Sequence, residues 1–136
     1  WRHGMVKGYD AHQQRQDTLA SFGRELARRS GSKCELCKAA GVKLTVFEVP
    51  PAPADPEAAK CLFLCDICRE QIGNPKKFDA AHWRCLNEAV WSDVSAVKVM
   101  SVRMLRRLAP GESWAGDILE EVYLDEDEEA WAAEKC

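Results

Sequence analysis

Cys34-Glu35-Leu36-Cys37 and Cys65-Asp66-Ile67-Cys68 are two identical two-residue clamps, separated by the 27 residues 38–64, and their reading decides the fold. A Cys-x2-Cys turn aims two sulfurs at one point. Two such turns joined by a hairpin supply four thiolates in a tetrahedron, the arrangement Zn²⁺ takes in closed structural sites. The spacing therefore predicts a Zn²⁺ site held by Cys34, Cys37, Cys65 and Cys68. Two disulfides are the alternative, opposed by the odd total of seven cysteines and by an N-terminal stretch without the apolar core of a secretory signal. Four thiolates leave no open coordination position for water or substrate, which argues against hydrolysis at this metal.

Between the clamps, Lys43-Leu44-Thr45-Val46-Phe47-Glu48-Val49 alternates and is rich in β-formers, so it reads as a strand. The four prolines of 50–56 remove amide donors and force an exposed loop. Lys60 to Leu64 then returns as a second strand into Cys65. Clamp, strand, loop, strand, clamp is the layout of a zinc ribbon. Cys61 on the return strand reads as a small buried hydrophobe, and as the substitute ligand should one clamp cysteine not bind.

Helical signals flank the ribbon. Upstream, Leu19, Phe22 and Leu26 form one stripe of a helix over 13–29, stopped by Ser30-Gly31-Ser32. Downstream, a short helical turn follows Cys68 and ends at Gly73-Asn74-Pro75. Asp79 reads as the N-cap of a helix over 80–90, with Trp83, Leu86 and Val90 on its buried side. A longer helix opens at Ser92 or Ser95 and carries Val97, Met100, Met104, Leu105 and Leu108. Further helices are expected over 114–124 and 128–135. The fold class is α+β: a small zinc-ribbon hairpin lobe packed with a mainly helical lobe. The organisation is an N-terminal helix over 1–29, a zinc ribbon over 30–74 and a helical region with an acidic end over 75–136. Met5 reads as the natural start, with 1–4 preceding it.

The chain has 136 residues and a formal net charge of −3, 46% hydrophobic and 30% charged residues, the composition of a folded globular chain with no membrane-spanning run. Cytoplasmic localisation is expected from its thiols. Charge is separated along the sequence. Residues 1–43 hold nine Lys or Arg against four Asp or Glu, whereas from Ala109 onward Lys135 alone opposes ten acidic residues. Such blocks of charge read first as solvated helix faces, with steering of a polyanion to one end and attraction between the two ends as the alternatives. Arg103, Arg106 and Arg107 have two readings, phosphate contacts or pairing with the acidic end. The tryptophans fall in or beside amphipathic segments and read as packing rather than as a stacking surface.

Asp79, His82 and Cys85, at three-residue spacing on a predicted helix, are the remaining group with chemical promise, as a Cys-His nucleophile or second metal site. Three side chains on one helix cannot complete a metal shell. The alternative places His82 and Cys85 at a lobe interface with Asp79 as a cap. Phosphate-cradling Gly-rich loops, nucleophile elbows and His-Glu-x-x-His zinc helices are absent from the sequence.

The chain resembles the PhnA-like proteins, a bacterial family named for an alkylphosphonate-utilization operon. The likeness rests on Arg29-Ser30-Gly31-Ser32-Lys33-Cys34-Glu35-Leu36-Cys37, on Val49-Pro50-Pro51 and on Cys65-Asp66-Ile67-Cys68. It continues through His82-Trp83-Arg84-Cys85-Leu86-Asn87-Glu88-Ala89-Val90-Trp91-Ser92, Val102-Arg103-Met104-Leu105-Arg106-Arg107-Leu108, Tyr123-Leu124-Asp125 and Glu129-Ala130-Trp131. The resemblance implies Zn²⁺ binding by Cys34, Cys37, Cys65 and Cys68. Longer relatives carry a further SH3-like module beyond this region. Taken together, the residues favour a non-catalytic binding module whose partner is a protein or a nucleic acid and not a membrane. The alternative is a metal-dependent hydrolase of organophosphonates or phosphate esters using His82, Cys85 and Asp79.

Overall fold

Ser95–Leu108 (the fifth helix in chain order) buries ten of its fourteen side chains, Val97, Met100, Met104, Leu105 and Leu108 among them. A helix apolar on nearly every side belongs inside a fold, not on its surface. In this computed structural model, residues 2–74, 76 and 78–134 are described, with side chains from Asp10 onward. The helices are α1 (Arg2–Ser21), α2 (Gly23–Ser30), α3 (Asp66–Gly73), α4 (Leu86–Ala89), α5 (Ser95–Leu108), α6 (Ser113–Glu121) and α7 (Glu126–Ala133). The strands β1 (Leu44–Glu48) and β2 (Cys61–Cys65) pair antiparallel, with Leu44 opposite Cys65 and Glu48 opposite Cys61. The fold is α+β.

Period-two alternation gives the hairpin two different faces. Leu62 and Leu64 on β2, with Phe47 on β1, join a core that runs through Trp83, Leu86 and α5 to Ala132 on α7. On the other face Cys61, Phe63 and Val46 meet Leu19, Phe22 and Leu26 of the N-terminal helices. Ribbon and downstream helices thus share one continuous core.

The N-terminal helix begins earlier than expected, at Arg2, and breaks at Phe22 instead of running unbroken to Arg29. Ser21 Oγ donates back to the Thr18 carbonyl and Gly23 follows, two features that weaken a helix locally. The expected helix over 80–90 is a 3₁₀ turn, His82–Cys85, followed by the four-residue α4. Asp79 Oδ1 accepts from the Ala81 amide, closing a tight local turn instead of capping a full α-helix. α6 stops at Glu121, short of Leu124, because Val122 is extended. α7 begins two residues before Glu128, since Asp125 and Glu128 form a reciprocal capping box. The readings at Trp1, Pro75, Lys135 and Cys136 lie outside the described residues.

Among the described residues, part of the acidic end is used within the molecule, against bases of α5 rather than those of 1–43. Arg106 pairs with Glu129 at 2.8 Å, and Glu128 takes Ser95 Oγ at 2.8 Å and Lys98 at 3.6 Å, which tie α7 to α5. Arg103 donates to the Trp131 carbonyl. Arg107 donates to the Gln71 and Ile72 carbonyls in the last turn of α3, where a cation also complements the helix dipole. Trp83 is fully buried and Trp114 and Trp131 pack against the core, but Trp91 is half exposed, contrary to the core role expected of it. Among the described residues, no helix is long and apolar enough to cross a membrane.

Candidate metal centre

Each clamp is built by its own backbone chemistry. α2 ends at Gly31 (φ 66°), and the Ser32 amide returns to the Ala27 carbonyl, turning the chain toward Cys34. The Cys34 carbonyl accepts from the Lys38 amide, the Cys34 amide donates to the Ala39 carbonyl, and Lys38 takes a left-handed conformation, φ 66°. A side chain there costs roughly 1 kcal/mol. Lys38→Gly is therefore expected to raise the unfolding free energy of the metal-loaded protein by about 0.5 kcal/mol once the freer unfolded chain is counted, read as a higher denaturation midpoint. The second clamp is the start of α3: Cys65 is its N-cap, and its Sγ accepts from the Cys68 amide at 3.5 Å.

These two turns bring four sulfurs together. Cys34 Sγ lies 3.7 Å from Cys68 Sγ, Cys37 Sγ lies 3.6 Å from Cys65 Sγ, and all four fall within 4.8 Å of one another. A metal–sulfur bond of about 2.3 Å in a tetrahedron sets sulfur–sulfur edges of about 3.8 Å. A disulfide brings its sulfurs to about 2.05 Å, and all six described cysteines are free. The donor set fits a tetrahedral ion. Cys34 and Cys68 are fully buried, Cys65 nearly so and Cys37 half-buried.

Protonation of the ion-free sulfurs follows from their contacts. The hydrogen bond between Cys34 and Cys68 holds the Cys34 thiol down at about 4, helped by neighbouring backbone amides. Cys68 is pushed up, first by its hydrogen bond with Cys34 and then by burial, and burial pushes Cys37 up to about 11. At neutral pH the Cys34 sulfur is a thiolate while Cys37 and Cys68 keep their protons, so loading a metal must expel at least those two. Acid returns them. The apparent metal affinity is expected to fall at least about a hundredfold per unit of pH lost below neutrality, two or more protons per ion, in a chelator-competition titration.

The clamp is braced by residues that the spacing rule does not include. Glu35, 3% exposed and lying between the two cysteines, takes a bidentate pair from Arg29 at 2.6 and 2.8 Å and accepts the Phe63 amide at 2.8 Å. Arg29 also donates to the Cys61 carbonyl at 2.8 Å. One ion pair thus fixes the first clamp to β2. An acidic residue inside one clamp and an arginine five positions before Cys34 were the available signal. Arg15 does the same for the hairpin loop, reaching Glu48 at 2.6 Å and the Pro53 and Ala54 carbonyls at 2.8 and 3.0 Å.

His82 stands at the centre. Its Nε2 is 3.3 Å from Cys68 Sγ, and its ring meets the Trp83 ring edge-on at 5.0 Å. No protein family, curated protein or solved structure matches the chain. A cavity of about 510 Å³ opens beside the sulfurs, lined by Cys37, Cys65, Ile67, Val42, His82 and Cys85 among others. Burial pushes the Cys85 thiol up to about 12, keeping it protonated at neutral pH, when the thiolate is the nucleophilic form. Asp79 is exposed, bonds to the Ala81 amide and is not in the cavity wall, so the structure joins His82 and Cys85 at one cavity but leaves Asp79 outside it. Cys61 lies on the opposite face of β2, its Sγ 3.2 Å from the Glu57 carbonyl, as a buried hydrophobe and not one of the four.

Proposed function

We propose that this chain is a zinc-ribbon protein of the PhnA-like type, a non-catalytic binding module whose Zn²⁺, held by Cys34, Cys37, Cys65 and Cys68, is structural. The observation that carries the reading is the convergence of four sulfurs, three of them buried, within 4.8 Å. Such a set fills the coordination shell of zinc with protein ligands. A protein partner is favoured over a polyanion because Arg15, Arg29, Arg103, Arg106 and Arg107 are engaged by the chain's own carboxylates and carbonyls. The test combines metal analysis with a salt-titrated binding assay on nucleic acid. One zinc per chain, with no nucleic-acid binding that weakens as salt rises, supports the reading.

The cavity at His82 and Cys85 is the observation that favours the second reading, a hydrolase of organophosphonates or phosphate esters linked to alkylphosphonate utilization. Hydrolysis by the zinc-loaded protein that disappears in His82→Ala decides for it. Hydrolysis undetectable in the unaltered protein decides against it.

A further inference from the structure

We propose that His82 is a positioning residue of the metal centre: its Nε2–H donates to the Cys68 sulfur from outside the coordination shell and slows release of the ion. The proposal rests on the zinc reading above. Four thiolates around a dication leave a net charge of −2 in a largely buried place, which needs hydrogen-bond donors aimed at the sulfurs. The Cys65 sulfur has the Cys68 amide, whereas the fully buried Cys68 sulfur has an imidazole nitrogen at 3.3 Å.

The ring is delivered by a rigid support. Gln71 lies one turn beyond Cys68 on α3, so both face the same way. Gln71 Oε1 accepts Trp83 Nε1 at 2.8 Å and the Asp79 amide at 2.9 Å, anchoring the turn on both sides of His82 to the helix that carries the ligand. Trp83 is fully buried, and its ring sets the edge-on orientation of the imidazole. The 3₁₀ winding of His82–Cys85, unexpected from the sequence, is the local geometry that presents the ring to Cys68.

The test measures zinc transfer from the intact protein to a chromogenic chelator, for the unaltered chain, His82→Phe and His82→Gln, with the cobalt-substituted spectrum of each. His82→Phe keeps an aromatic ring against Trp83 but offers no donor. It is expected to release zinc about tenfold faster, the lower end of the usual effect of losing a partner outside the ligand shell. His82→Gln, which retains an N–H, is expected to fall between the two. The cobalt ligand-field pattern of four sulfurs should be kept in all three, since the four ligands stay. Equal release rates in the unaltered chain and His82→Gln and, where it folds, His82→Phe overturn the proposal. An unaltered protein with the three-sulfur, one-nitrogen pattern, lost on substitution, also overturns it, because it makes His82 a ligand. An unaltered protein that binds no metal sinks the zinc reading itself, a separate result.

Discussion

Stripping the metal is expected to unfold the ribbon and to loosen the helices packed on it. The hairpin has only two five-residue strands, and a sheet of that size is marginal in water without help. A structural zinc contributes on the order of 10 kcal/mol to folding, comparable to the whole stability of an ordinary domain. Cys34, Cys65, Cys68, Leu62 and Leu64 belong to the same buried cluster as Trp83 and α5. Loss of the ion should therefore reach beyond the ribbon. Chelator treatment followed by hydrogen exchange is expected to show lost protection in β1 and β2 and reduced protection in α5. Cys68→Ser is expected to reproduce the effect, and Cys61→Ala to leave the metal content unchanged. Native protection across β1 and β2 in metal-free protein would show that the ion does not hold the fold.

The second large effect is expected at Glu35. Replacing it by Ala leaves the Arg29 guanidinium, only 21% exposed, and the Phe63 amide without their shared acceptor. Breaking one side of a largely buried, hydrogen-bonded ion pair costs about 3 kcal/mol, and a denaturant titration of metal-loaded Glu35→Ala should show it. The internal comparison is Arg106→Ala. Its pair with Glu129 is 42% and 57% exposed, so that change should cost about 0.5 kcal/mol or less. Equal losses at the two positions would contradict the bracing role of Glu35.

The convergence of the four sulfurs could be read from the sequence because two-residue spacing is a geometric statement about where side chains point. The strands were legible for the same reason: alternation survives packing, and the Val46–Phe63 and Phe47–Leu62 pairs lie on opposite faces of the hairpin. What could not be read was long-range. That Glu35 would meet Arg29, or Glu48 meet Arg15, depends on how distant segments fold back, and a charged residue in a strand looks the same before that happens. His82 is the sharpest instance. A helical spacing grouped it with Cys85 and Asp79; the 3₁₀ turn held by Gln71 and Trp83 keeps it at one cavity with Cys85, leaves Asp79 outside and brings its imidazole to Cys68. The arginines of α5 posed a choice that composition left open; within this chain Arg106 meets the Glu129 carboxylate, Arg103 the Trp131 carbonyl and Arg107 the α3 carbonyls.

Trp131 on α7 closes against the proline loop, its Nε1 3.3 Å from the Pro50 carbonyl and Lys60 Nζ 4.3 Å above its ring. On a translating ribosome the two clamps, complete by residue 68, emerge long before Trp131 does. Metal capture can thus precede the latch by more than sixty residues of synthesis, on the order of several seconds. If the four sulfurs hold an ion as proposed, the nascent hairpin relies on it during that interval, and a cell short of that metal exposes this chain at its most vulnerable, while it is still being made.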